Sequence, residues 1–334
     1  MNVTVLAFNL FDPLYIAFGW IMRQLYLFIG NYGVTIILFT IILRGIMIPL
    51  GIKQQRSTNK MQALQGEIAE IQRRYPNDKE KQSQLQMELY KQNGASPTAG
   101  CLPSILQLII IWPIFRIIQA PLTYIMNIGS ESMVKIGNVL AGLTDANNVA
   151  LITAKQAEQA ATSNIPILNA LDHSSVALST VVDQGLLRVN QLIDVDFLGM
   201  NLGLTPTYKP ALLFGAESGR YLPLLAIPVI VLLTTLLQMK LMKLATPNRK
   251  KKAEAKEREK KNPARAGQTP EDKTESMMKS MNIFMPLFML WTTFTMPAAL
   301  GLYWTVGNIM MIVQTLFIYY FYTRKIEAQT RLAS

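Results

Sequence analysis

Long apolar runs alternate with strongly polar segments along the chain of 334 residues. A membrane-spanning helix needs about 20 mostly apolar residues, because each residue adds about 1.5 Å along the helix axis. Runs of that kind are found at 31–52, 102–120, 221–242 and 281–322. The last run is too long for one helix, and Pro297 divides it into 281–297 and 299–322. The pattern therefore predicts an all-α polytopic membrane protein with five transmembrane helices.

The first 30 residues are apolar and aromatic, but they also contain Asp12 and Arg23. They lack the basic start and the small-residue cleavage site of a secretory signal. We expect residues 1–30 to form an interfacial helix on the outer face of the membrane, with aromatic side chains at headgroup level. A second full span is the competing interpretation, and the two charged residues argue against it.

Residues 53–100 turn abruptly polar after the first span. Apolar residues recur at steps of three and four from Met61 to Tyr75, which is typical of one face of a helix. Pro76 ends that helix, and Asn77 with Glu80 predicts a capping box for the next one. The segment is therefore expected to form a helical hairpin outside the membrane. An inert connector that packs on the spans is the alternative.

The other polar segments differ in the sign of their charge. Acidic residues outnumber basic ones in residues 129–220, the main part of a predicted soluble insertion at 121–220. The loop 243–280 and the tail 323–334 are basic, as is the predicted hairpin. Basic segments remain on the cytoplasmic side of a membrane, so the N-terminus is expected outside and the C-terminus inside. The insertion is then extracytoplasmic, and we expect it to be helical if ordered.

The composition excludes several classes of site. The single cysteine, Cys101, rules out an internal disulfide, and the single histidine, His173, leaves little scope for a histidine-based metal site. The sequence shows no nucleophile–histidine pattern, no phosphate-binding glycine loop and no pair of carboxylates within a span. We therefore expect a protein that is not an enzyme and that holds neither a metal nor a cofactor.

Arg44 is a charged residue well inside the first apolar run. It lies nine residues before Lys53, which places it roughly 13 Å from that end of the helix. Burying an arginine in lipid is costly, so Arg44 is expected to face a partner or a hydrated cavity. Gln107 lies at a similar depth in the second span, and the two residues together predict a shared hydrated pocket. The alternatives are a structural arginine paired with a neighbouring helix and an interhelical hydrogen bond from Gln107.

Three methionines, Met281, Met285 and Met289, form a stripe at helical spacing. Flexible thioethers adapt to apolar partners of varied shape, so the stripe is a candidate contact surface for apolar substrate helices. Ordinary packing between spans is the alternative for each of them.

Several short motifs occur in a fixed order along the chain. They are Leu43-Arg44, Pro49-Leu50, Met61-Gln62, Leu89-Tyr90-Lys91, Gly100-Cys101-Leu102-Pro103, Leu106-Gln107, Phe197-Leu198-Gly199, and Pro297 to Trp304 followed by Asn308 and Gln314. In this set the chain resembles the YidC/Oxa/Alb family of membrane protein insertases, in the five-span form of Gram-positive bacteria.

The resemblance implies a hydrophilic groove that contains the arginine of the first span. The groove receives the polar segment of a nascent membrane protein and releases its apolar helix into the bilayer, without a nucleotide. Arg44 would attract acidic substrate residues in a partly dry site, where a charge pair is worth more than the ~1 kcal/mol found in water. The residues assigned to the groove are Arg44, Gln107, Trp304, Tyr303, Asn308 and Gln314.

The implied partners are nascent membrane proteins and the lipid bilayer, and the implied location is the bacterial cytoplasmic membrane. The basic segment 249–261 and the tail are candidate contacts for the ribosome, and the Sec translocon is a further candidate partner. One alternative function is a membrane assembly scaffold without autonomous insertion. A less favoured one is an anion transporter that uses Arg44, which would predict internal repeats that the sequence lacks.

Overall fold

The computed structural model describes residues 3–94, 102–145, 148–242, 283–284 and 286–323. These residues are mostly helical and divide into two compact units. The helices are α1 (Val3–Ile29), α2 (Tyr32–Ala63), α3 (Gln65–Arg74), α4 (Lys79–Gln92), α5 (Leu102–Gln119), α6 (Pro121–Tyr124), α7 (Ser130–Ala141), α8 (Ala154–Glu158), α9 (Ile165–His173), α10 (Ser175–Asp183), α11 (Pro210–Phe214), α12 (Ser218–Tyr221), α13 (Ala226–Met242), α14 (286–293) and α15 (Ala298–Ile318). A two-stranded antiparallel sheet joins β1 (Asp196–Phe197) to β2 (Met200–Asn201).

Among the described residues, three helical segments are long and apolar enough to cross a membrane: Tyr32–Lys53, Ser218–Met242 and Ala298–Phe321. The bent pair formed by α9 and α10 would add a fourth if it were one span. The three segments correspond to predicted spans 31–52, 221–242 and 299–322. The predicted span 102–120 contains a shorter apolar helix, Ile109–Gln119, and part of the predicted span 281–297 lies outside the described residues. The chain is thus a largely helical protein with several membrane-spanning helices.

Unit 1 consists of Met1–Leu43, Leu108–Val231 and Leu290–Gly307. One face of α1 is buried in it through Tyr15, Phe18, Met22 and Tyr26, which follow each other at helical spacing. The ring of Phe18 meets Phe39 of α2 edge to face at 5.6 Å. The opposite face of α1 exposes large apolar side chains such as Trp20 and Phe28. Although α1 has 27 residues, it is not among the candidate spans.

The predicted insertion folds into a helical layer with its own apolar core. Met133, Ile136 and Leu140 of α7 are fully buried, and α7 packs closely on α8 because Gly137 has no side chain. A Cβ at Gly137 would lie 3.0 Å from the backbone of Ala157. The insertion also contains the β1–β2 hairpin, which the sequence pattern did not predict. Its turn places Leu198 at φ 52° and Gly199 at φ 75°, as in the tight turns that suit twisted hairpins.

Residues 192–196 form hydrogen bonds both with the start of α2 and with the end of α1. The main-chain N–H of Tyr32 donates to Asp194 O at 3.0 Å, and Asn31 Nδ2 donates to Asp196 O at 2.7 Å. The N–H of Asp194 in turn donates to the hydroxyl of Tyr26 at 2.8 Å. Partial burial, with Asp172 and Asp194 nearby, raises the pKa of Asp196, so this carboxylate opposes folding once it is ionised.

Unit 2 consists of Arg44–Gln107, Leu232–Met289 and Asn308–Ser334. Helix α2 continues beyond the apolar run to Ala63, so the apolar stripe that starts at Met61 is divided between α2 and α3. Helices α3 and α4 pack on each other across a short turn. The side chain of Asp78, and not the predicted Asn77, caps α4 by accepting from Lys81 N at 2.9 Å. Gln82 Nε2 reaches back to Tyr75 O and closes the turn.

Candidate functional site

Arg44 lies in α2, twelve residues after the first residue of that helix and thus about 18 Å along its axis. Its side chain is half-buried, whereas its neighbours Ile41, Ile42 and Ile46 are exposed. The surrounding surface is therefore apolar, as expected where lipid covers a helix. A guanidinium at this position is either satisfied within the protein or used for binding.

Tyr303 and Trp304 lie in the part of α15 that belongs to unit 1, and both are buried. The start of α15 is fixed by the insertion, since Ala298 N–H donates to Leu204 O and Ala299 N–H donates to Leu202 O, each at 2.9 Å. One turn further, Gly301 allows a close approach to α13. A Cβ at Gly301 would lie 2.3 Å from Cγ2 of Ile227. The small residue thus sets the distance between two membrane-spanning helices.

Two buried polar atoms on α15 have no hydrogen-bond partner among the residues that the structure describes. They are Nε1 of Trp304 and the hydroxyl oxygen of Thr305. Buried polar groups in proteins are nearly always paired with protein or with water, because an unpaired group costs about 1–3 kcal/mol. Trp304 therefore carries a buried donor that has no partner among the described residues.

Asn308 lies on α15 in unit 2 and makes hydrogen bonds to the neighbouring helix α13. Its Nδ2 donates to the hydroxyl oxygens of Thr234 at 3.1 Å and of Thr235 at 2.9 Å. The hydroxyl of Thr235 donates in turn to the sulfur of Met289 at 3.5 Å. This cluster links the membrane-spanning helices α13 and α15. It also engages the sulfur of Met289, one of the three methionines of the predicted stripe. Sequence reasoning missed the threonine pair, although two adjacent hydroxyl residues in an apolar run are a readable signal.

Gln314 packs against α2 within unit 2. A Cβ at Gly51 would lie 2.2 Å from Nε2 of Gln314, so Gly51 makes room for this side chain. Gln107 is helical within α5, but its side chain lies outside the described part of the chain, as do Met281 and Met285. Their assignment to substrate binding stays a prediction.

The Asn308 cluster predicts a measurable coupling between α13 and α15. We expect Asn308→Ala to destabilise the protein by about 1 kcal/mol, the range of interhelical hydrogen bonds in membranes. In a double-mutant cycle with Thr235→Val, followed by thermal unfolding in detergent, the two losses should not add. Gln238→Ala serves as the control, because Gln238 lies on α13, like Thr235, but is not part of the cluster. Additive losses in the cycle would contradict the assigned hydrogen bonds.

Comparison with known proteins gives the family. The sequence model of the family described as 60Kd inner membrane protein matches residues 24–325. Similar proteins include the membrane protein insertase YidC of Clostridium perfringens, 41% identical over 111 residues, which are 33% of this chain and 47% of that protein. The insertase YidC of Caldanaerobacter subterraneus is 36% identical over 101 residues, 30% of this chain and 49% of its own. That of Fusobacterium nucleatum is 38% identical over 93 residues, 28% of this chain and 45% of its own.

The aligned part spans about half the length of these curated relatives. The family match is far wider, since it runs from the end of α1 to the end of α15 and includes all three candidate spans. On that basis the chain belongs to the YidC/Oxa/Alb family, described as the 60Kd inner membrane protein family, and is a multi-pass protein of the bacterial cytoplasmic membrane.

Proposed function

We propose that this protein is a membrane protein insertase and chaperone. It receives the polar segment of a nascent membrane protein in a hydrophilic site that contains Arg44 and releases the apolar helix into the bilayer. The observation that carries the proposal is the family match over residues 24–325, together with relatives that are named membrane protein insertases. Two observations, each taken by itself, support the binding of polar groups: Arg44 is half-buried in an apolar helix, and Nε1 of Trp304 has no hydrogen-bond partner among the described residues.

The proposed topology has five spans, with the N-terminus outside and the C-terminus inside. Helix α1 lies in the outer interface, α3 and α4 form a cytoplasmic hairpin, and the insertion 121–220 is extracytoplasmic. The basic loop 243–280 and the tail 323–334 are cytoplasmic. The exposed apolar face of α1, with Trp20 and Phe28, supports an interfacial position.

The proposed step needs no covalent chemistry, so the protein is not an enzyme and requires no cofactor. Arg44 attracts the carboxylates of the substrate's polar segment, and the charge-assisted hydrogen bonds are stronger where water is scarce. Gln107, Tyr303, Trp304, Asn308 and Gln314 are assigned to the same function. Met281, Met285 and Met289 are assigned to apolar substrate contacts. Burial of the substrate helix in lipid drives its release.

The proposed partners are nascent membrane proteins and the bilayer. The basic segment 249–261 and the C-terminal tail are candidate ribosome contacts, since clustered lysine and arginine bind phosphate backbones. The Sec translocon is a further candidate partner.

Reconstitution tests the proposal. The purified chain is placed in liposomes, and a single-span test protein whose N-terminus must cross the membrane is synthesised in their presence. Protease protection of the N-terminal segment should appear with the chain and not in empty liposomes. Equal protection in both would contradict autonomous insertion and favour the assembly scaffold.

A further inference from the structure

Unit 1 contains a cleft of about 950 Å3 that is lined mostly by the insertion. Helix α9 contributes Asn169 and His173 to it, and residues 149–152 line one wall. The segment Thr205–Thr207 lines another wall, and Phe294 to Pro297 border the cleft just before α15. Ligand clefts in proteins are about 300–1,000 Å3, so this one is large enough for several residues of a polypeptide.

The polar groups of the lining suit a peptide ligand, whose main chain forms hydrogen bonds, better than a purely apolar ligand. Asn169 Nδ2 donates to Gly203 O at 3.2 Å, but its buried Oδ1 accepts no hydrogen bond from any described residue. Residues 205–208 lie in neither helix nor strand, and within the described chain their main-chain groups make no main-chain hydrogen bond. An extended peptide offers alternating N–H and C=O groups that would pair with both. Apolar lining residues such as Leu151, Ile152 and Leu212 would receive its side chains.

The charges of the lining favour an acidic peptide. Arg220 is already paired, with Glu217 at 3.1 Å and with the ring of His173. Asp145 also lines the cleft, and its carboxylate accepts from Val149 N–H at 2.9 Å. Lys209 is exposed in the cleft lining and forms no salt bridge within the described ranges. Its ammonium group is therefore available for a ligand carboxylate.

The cleft is continuous with the helix that carries Trp304. Pro297 borders the cleft and precedes α15 directly, and Trp304 follows seven residues later, about 10 Å along the axis. Gly203 and Leu204 line the cleft, and the carbonyl oxygens of Leu202 and Leu204 accept from the first N–H groups of α15. A segment that follows α15 to its first residue therefore reaches this cleft.

We propose that the cleft binds the translocated polar segment of the substrate, in extended form, through main-chain hydrogen bonds and through an acidic residue facing Lys209. This inference rests on the proposed insertase function and on the outside position of the insertion. It gives the insertion a role in holding the segment after it has crossed the membrane.

A cross-linking experiment tests the location. The lone cysteine is first removed by Cys101→Ser, and cysteine is then introduced by Val176→Cys or, as a control, by Val189→Cys. Both valines lie in the insertion and are similarly exposed, at 64% and 62%, but only Val176 lines the cleft. In the reconstituted liposomes, a test substrate with one cysteine in its translocated acidic segment should cross-link to position 176 about tenfold more than to position 189, a difference of about 1.4 kcal/mol.

Lys209→Glu tests the charge, with Lys155→Glu as the matched control on an exposed lysine outside the cleft. Lys209→Glu should reduce cross-linking at position 176 about tenfold, and Lys155→Glu should leave it unchanged. Insertion is measured by protease protection in the same samples. Normal insertion with equal cross-linking at both positions would overturn the cleft proposal alone. Absence of insertion by the wild-type chain would overturn the proposed function and this inference with it.

Discussion

Replacing Arg44 by alanine is expected to reduce the insertion of a substrate with an acidic N-terminal segment by about ten- to hundredfold. A hydrogen bond to a charged group is worth about 1.5–3 kcal/mol, and each 1.36 kcal/mol corresponds to a factor of ten in rate. Arg44→Lys keeps the charge but loses the two-pronged geometry that matches a carboxylate, so its insertion rate should be intermediate. The initial rate of protease protection in liposomes measures all three proteins.

Lys53→Ala provides the control, because it removes a positive charge from an exposed position on the same helix. A surface substitution of this kind changes free energies by about 0.5 kcal/mol or less, so insertion should stay within about twofold. A substrate without acidic residues in its N-terminal segment should be nearly insensitive to Arg44→Ala. If Arg44→Ala inserts the acidic substrate as fast as the wild type, the arginine is structural.

The second large effect concerns the contact between Gly33 and the β1–β2 hairpin. A Cβ at Gly33 would lie 2.5–2.7 Å from three atoms of Phe197, which is closer than carbon atoms can approach. Gly33→Ala is therefore expected to lower the free energy of unfolding by about 1–3 kcal/mol, as overpacked cores do. The midpoint of thermal unfolding in detergent should fall accordingly. The turn at Leu198 and Gly199 thus directs the ring of Phe197 onto α2.

Gly45→Ala is the matched control for this prediction, since Gly45 lies on the same helix and its Cβ would meet no described atom within 4 Å. It should leave the midpoint unchanged or raise it, because alanine favours a helix over glycine. Combining Gly33→Ala with Phe197→Ala should cost less than the sum of the two single changes. Full additivity would show that the predicted clash is relieved elsewhere.

The sequence predicted the helical membrane class and three spans well, because hydrophobicity over about 20 residues is a strong local signal. The end of α3 before Pro76 was also predicted. Asn77 was predicted as the cap of α4 in place of Asp78, because asparagine and aspartate are about equally favoured at the N-cap position. The sequence pattern missed the β1–β2 hairpin, whose two-residue strands are too short to show alternation. The continuation of α2 to Ala63 was also missed, because polarity changes there without any helix-breaking residue.

The candidate site was readable only in part. A charge such as Arg44 in an apolar run is rare enough to be noticed from sequence alone. The bonds from Asn308 to Thr234 and Thr235, and the room that Gly51 gives Gln314, depend on which helices are neighbours. The spacing of residues within one helix does not indicate which other helix lies next to it. The cleft is likewise assembled from several separate stretches of the chain.

The most direct test of the account is a charge reversal across the proposed contact between Arg44 and the substrate. Wild type and Arg44→Glu are each reconstituted and offered two test proteins, one with aspartates in its N-terminal segment and one with lysines at the same positions. Wild type is expected to insert the aspartate protein faster, and Arg44→Glu is expected to insert the lysine protein faster. If Arg44→Glu shows the same preference as the wild type, Arg44 does not recognise substrate charge and the central claim is wrong.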